Sequence, residues 1–163
     1  MPASRRVTRA VGEVLDLAPR RGEITLPRLV QAVSDHRGRT IELTTAELPP
    51  GVCGQWRQYA DHDVFLIQQG LPAWDRTLAH ELGHLVLGHE GIPITQAARD
   101  NTEVASSELI GYMLNQRTGC MGPAGEDAEQ EAEDFAALLI YRLGRLPSDR
   151  SSIVQVRLGE AFG

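Results

Sequence analysis

Cysteine is scarce in this chain, with Cys53 and Cys120 the only two in 163 residues. They form no CxxC pair, which argues against a cysteine zinc site and against a disulfide framework. Two buried free thiols are the expectation instead. Long apolar runs are missing too, and nothing approaches the roughly 18 residues that a bilayer-spanning helix needs. The N-terminal MPASRRVTRAVGEVLDLAPRR carries arginines but no uninterrupted apolar segment, so it does not read as a secretory signal. A cytoplasmic protein without a membrane partner is expected. Positive charge is also in short supply. A formal net charge of -6 argues against a protein built to grip phosphates. Arg5, Arg6, Arg9, Arg20 and Arg21 alternate with a normal apolar pattern and read as a solvated helix face, with no direct nucleic-acid partner. Repeats and low-complexity tracts are absent.

What remains is an ordinary globular composition, 42% hydrophobic and 23% charged, on a chain of the size of one domain. Residues 1–163 are expected to form that single domain, with no separate DNA-binding or sensor unit. Val7, Val11, Val14 and Leu15 have helical spacing, predicting a first helix over residues 5–17. Pro27 near the start and Gly38 at the end bracket a second, from Leu26 to His36. Three stretches of β character follow: Thr40 to Thr44, Gln55 to Tyr59 and Asp63 to Gln68. The last two are joined by the polar turn AlaAspHisAsp. The pattern predicts an α+β fold whose small three-stranded sheet is a meander. A long helix is predicted from Pro72 to Leu87, closed by Gly88, Gly91 and Pro93. Another spans Glu126 to Leu143, with Ala128, Ala132, Phe135, Ala136, Leu139 and Leu143 as its apolar stripe. Residues 91–125 between them are rich in loop signals, with one candidate helix from Glu103 to Gln116, and are expected to be the most mobile part. The tail after Pro147 is expected to add at most one short element.

Within the first of these two helices stands HELGHLVLGHEG, residues 80–91, holding three of the five histidines. His80 and His84 are four residues apart, so both leave the same helix face and can hold one tetrahedral metal ion. Glu81 lies roughly 100° around the helix, badly placed as a ligand but well placed to reach a water beside the metal. This is HExxH, two zinc ligands and a general base. A chance ordering of these residues yields the motif on the order of once in a hundred such chains. Leu78, Leu82 and Leu85 occupy the opposite face, which lets the helix sit on a core while its histidines face a cavity.

His89 is rejected as a third ligand, because the three-histidine pattern needs six residues after the second histidine and this chain has five. A position at the helix end or lining the cleft is expected. The third ligand must come from the acidic run EDAEQEAEDFA. Glu129 is the first candidate and Glu131 the fallback. Glu133, on the same flank as Glu129, can orient a ligand from outside the ligand set. A His2Glu site with one open position favours a single Zn2+ over manganese or iron.

Residues 76–89, RTLAHELGHLVLGH, resemble the signature of the ImmA/IrrE family of metallopeptidases, and residues 129–139, EQEAEDFAALL, resemble its downstream glutamate helix. The resemblance covers about Val7 to Leu143. It implies a zincin-like, minimal gluzincin fold, with zinc on His80, His84 and Glu129 and catalysis by Glu81. It also implies a helix-turn-helix repressor as protein substrate, paired along an edge strand for which Asp63 to Gln68 is the candidate. This chain departs from the family pattern in having Glu133 where Asp or Asn is common. It also lacks the proline after the LeuLeu pair and has a longer interval, residues 85–128, between His84 and Glu129.

The functional expectation is a zinc-dependent endopeptidase acting on an intracellular regulatory protein. The alternative is a zinc-containing, partner-binding regulatory module with little proteolytic activity. The intact Glu81 favours the enzyme, since a structural zinc site has no use for a general base there.

Overall fold

In a computed structural model, the described residues are 3–19, 22–90, 92–93 and 125–146. The chain begins with helix α1 (Arg5–Asp16), opened by Ser4, whose hydroxyl accepts the Val7 N–H. Helix α2 (Leu26–Arg37) has Pro27 in its first turn and ends on Gly38, whose φ of 61° is the left-handed conformation that glycine adopts freely. Three strands follow, β1 (Ile41–Ala46), β2 (Gly54–Gln58) and β3 (Asp63–Gln68). After them come helix α3 (Trp74–Val86), a two-residue strand β4 (Ile92–Pro93) and helix α4 (Gly125–Leu143). The class is α+β. No helix among the described residues is long and apolar enough to cross a membrane.

The sheet order is β1-β3-β2-β4. This corrects the expected meander: β1 pairs parallel with β3, while β2 pairs antiparallel with the other side of β3. The link from Glu47 to Cys53, with Pro49, Pro50 and a left-handed Gly51, is no hairpin turn and carries the chain across the end of β3. Gln68 ties this crossing down, because its side chain accepts the Leu48 N–H and its backbone N–H donates to Cys53 O. β3 is therefore central and not the edge strand expected to take a substrate. Its first five residues are buried without alternation, as a strand covered on both faces should be. Beyond β2, β4 reaches only Arg57 and Gln58.

Cys53 is exposed, correcting the expectation of a buried thiol. Its neighbour Val52 is buried, and Cys53 stands in the link just before β2 begins. Cys120, the candidate helix from Glu103 to Gln116, nearly all of the 91–125 connection and the tail after Pro147 lie outside the described residues.

One hydrophobic cluster joins the helices and the sheet, with Val7, Val11, Leu29, Phe65, Ile67, Leu78, Leu82, Phe135 and Leu139 fully buried. The expected stripe of α4 is its inner face, except that Leu143, at the C-terminal end, is only half-buried. At the other end of the sheet, Asp63 is completely buried yet ionic. Arg39 Nε and Arg37 Nη1 donate to its Oδ2 at 2.9 and 3.0 Å, and Trp56 Nε1 donates to its Oδ1 at 3.2 Å. Arg39 also donates to the carbonyls of Tyr59, Ala60 and His62, clamping the β2–β3 turn to the start of β3. Burial opposes the charge on Asp63, but the bonds from Arg39, Arg37 and Trp56 outweigh it and hold the carboxyl below its ordinary value.

A depressed carboxyl pKa stabilises the fold above the unfolded value, about 3.9, and that stability is lost as pH falls through the lower folded value. Asp63→Asn is thus expected to cost about 3 to 5 kcal/mol at pH 7, judged from other buried ion pairs that lose one partner. Urea unfolding at pH 7 and pH 3 checks this. The gap between wild type and variant should narrow at the lower pH, and a gap independent of pH would remove the ionic role.

Candidate metal centre

The xx of HExxH matter as much as its charged residues. Leu82 is fully buried in the core. Gly83 faces α4 so closely that a Cβ there would lie 3.3 Å from Ala132 Cα and 3.0 Å from a ring carbon of Phe135. A glycine inside a helix gives up about 1 kcal/mol relative to alanine, and here the loss permits a close helix crossing. That crossing brings the acidic start of α4 against the histidine face of α3.

The crossing gathers three donors. His80 Nε2 lies 3.0 Å from His84 Nε2 and 3.3 Å from Glu129 Oε2, while His84 Nε2 lies 3.5 Å from Glu129 Oε1. Ligands about 2.0 to 2.1 Å from one tetrahedral ion stand about 3.3 to 3.4 Å apart, so the spacing fits a single small cation. His80, His84 and Glu129 are the one group among the described residues with this convergence. Their side chains retain 22%, 13% and 31% exposure, so the centre opens to solvent and leaves room for a further ligand. The imidazoles that face it, His80 first and then His84, hold the Glu129 carboxyl far below its ordinary value, against the opposing effect of burial. It is a full anion facing two imidazoles.

Glu81 sits deeper than its neighbours, at 8% exposure. Gly54 makes room for it, since a Cβ there would fall 2.8 Å from Glu81 Oε1 and 2.6 Å from the Thr77 methyl. Burial raises the Glu81 pKa, while the charges of His80 and His84 and the Trp56 backbone N–H oppose that rise. The result is a confined, proton-seeking carboxylate beside the three donors.

Glu133 and Glu131 do not join the three donors, and each backs a histidine instead. Glu133 Oε2 lies 3.4 Å from His80 Nδ1, the nitrogen turned away from the centre, and its other oxygen is held by Arg76. An orienting role was the expectation for Glu133, and this contact is where such a role would act. Glu131, the fallback ligand, faces elsewhere, 3.2 Å from His89 Nε2 and 2.5 Å from Arg6 Nη1. His89 does not join the donors. It is nearly buried, with Nδ1 2.9 Å from His84 Nδ1, and burial lowers its pKa despite the hydrogen bond to Glu131.

Arg6 was expected only as part of a solvated helix face, which its bonds to Glu131 and Leu87 O correct, and Arg76, Gly54 and Gly83 were not singled out from the sequence. A glycine inside a strongly helical pattern is a signal for Gly83, because it marks close packing. Arg6 and Arg76 come from separate elements, and nothing local in sequence announces their partners.

Apoprotein titrated with cobalt(II) is expected to bind one equivalent and develop the visible spectrum of a low-symmetry site, with His84→Ala and Glu129→Ala losing both. Undiminished binding in Glu129→Ala would move the third ligand elsewhere.

No protein-family model matches the chain, and no curated protein matches it.

Proposed function

We propose that the chain is a zinc-dependent endopeptidase that hydrolyses a peptide bond in a cytoplasmic regulatory protein. The substrate class follows the resemblance to the ImmA/IrrE metallopeptidases, a helix-turn-helix repressor. The observation that carries the reading is Glu81, a buried carboxylate built into the wall of a solvent-open His2Glu centre. A purely structural metal site closes its coordination and has no use for such a group. Two imidazoles, one carboxylate and an open position favour zinc. The same reading makes α3 the active-site helix of a zincin-like fold and α4 its glutamate helix.

Zinc held by His80, His84 and Glu129 would acidify a water and polarise a carbonyl. Glu81 does the proton work. Its carboxylate accepts the proton of the attacking water and returns it to the nitrogen of the leaving amine. The Trp56 backbone N–H faces the carboxylate and favours its charged form, and burial makes it a better base than an exposed glutamate. The strand that borders this chemistry is β2, whose Gly54 lies against Glu81. Its outer edge, paired with β4 only at Arg57 and Gln58 among the described residues, is where an extended substrate backbone would run.

Zinc-loaded protein incubated with a peptide library, read by mass spectrometry of new termini, tests the activity. Glu81→Gln is expected to retain one zinc and to lose about 100- to 10,000-fold in rate, the usual worth of a general base. Equal cleavage by both proteins would overturn the role of Glu81. A wild type that holds zinc and cleaves neither the library nor a co-expressed helix-turn-helix regulator would point to a partner-binding module instead.

A further inference from the structure

We propose that His89, Glu131 and Arg6 form a hydrogen-bonded chain that fixes the ring of His84 with Nε2 bare and facing the centre, and so sets metal affinity from outside the ligand set. The proposal rests on the reading of His80, His84 and Glu129 as a metal centre.

The chain starts from how α3 ends. Gly88 takes φ 71°, its N–H donates to Leu85 O, and the next N–H, that of His89, donates to His84 O at 2.9 Å. This is the glycine-closed helix end in which the last turn curls back on itself. Here it folds His89 over His84, which places the two Nδ1 atoms 2.9 Å apart. The motif therefore carries its own support, five residues downstream in sequence and in contact in space.

Counting protons gives the chain its direction. His89 Nε2 meets Glu131 Oε2, an acceptor, so the proton of that bond sits on His89 Nε2. A neutral imidazole carries one ring proton, so His89 Nδ1 is an acceptor. The proton between the two rings then belongs to His84 Nδ1, and His84 Nε2 is left with its lone pair toward His80 and Glu129. Arg6 completes the sequence. Its Nη1 donates to Glu131, and its Nη2 donates to Leu87 O, one of the carbonyls that the end of α3 leaves unpaired. The first helix thereby holds both the carboxylate and the helix end that presents His89. His80 has a shorter support of the same kind in Glu133 and Arg76.

A merely structural His89 would respond to volume, whereas a positioning residue responds to the acceptor it offers. Zinc affinity of the apoprotein, measured by competition with a chromophoric chelator, separates the two without any assay of activity. His89→Leu fills the space without an acceptor and is expected to bind one zinc about 10- to 100-fold more weakly, the usual effect of losing such outer partners. His89→Asn, which can offer an amide oxygen near the Nδ1 position, is expected to stay within about threefold of wild type. Wild-type affinity in His89→Leu, or equal weakening in both variants, would overturn the proposal. If neither variant folds, nitrogen-15 NMR of the zinc-loaded wild type decides, since a His89 proton on Nδ1 would contradict the chain and one on Nε2 alone supports it. Failure of the metal-centre reading looks different, for then the wild type binds no zinc and Glu129→Ala changes nothing.

Discussion

The close approach of α3 and α4 at Gly83 is the constraint from which the candidate site follows. Both helices carry polar residues of their own, but neither contains a complete centre. His80 and His84 come from one helix and Glu129 from the other. The crossing holds because Phe135 and Ala132, both fully buried, meet α3 at Gly83, and Phe135 and Leu139 share one buried cluster with Leu78 and Leu82. Fully burying such side chains is worth about 1.5 to 3 kcal/mol for each large one, which outweighs the helix propensity forfeited at Gly83. Packing therefore brings charged and polar groups to a spacing that they would not choose without a cation.

The sheet supplies the other wall. Trp56 faces two ways chemically, its indole N–H satisfying Asp63 and its backbone N–H reaching Glu81. The ion cluster that secures the start of β3 is thus one strand residue away from the proposed general base. Arg39 and Arg37 make the burial of Asp63 tolerable, and Gly54 clears the space that Glu81 occupies. A charge in the core and a charge in the site are both held by β2.

Much of this was legible in the sequence, for reasons that differ by element. HExxH could be read because the chemistry lies within one helical turn, and the apolar stripe of α4 because its period is local. Glu129 was preferred over Glu131 from its flank of that stripe, and the geometry places it with the histidines while Glu131 turns to Arg6 and His89. The order of the strands was not legible. Pairing of β1 with β3 depends on where the Pro49–Pro50 link carries the chain, a tertiary matter that no short window contains. The continuous VFLI of β3 did hold a clue to its central place. His89 looked like a helix-end residue because Gly88 ends α3, and the same glycine turns it inward.

The centre's outer layer shows a division of labour in the acidic run of α4. Glu129 faces the inner nitrogens of both histidines, Glu133 the outer nitrogen of His80, and Glu131 the histidine that backs His84. Arg76 and Arg6 neutralise the latter two, so the anionic character of the centre is concentrated on Glu129. X-ray absorption at the zinc edge of the loaded protein tests the arrangement most directly. The expected spectrum contains two imidazoles and oxygen ligands at about 2.0 to 2.1 Å, with no sulfur. Sulfur at about 2.3 Å, or fewer than two imidazoles per zinc, would contradict it.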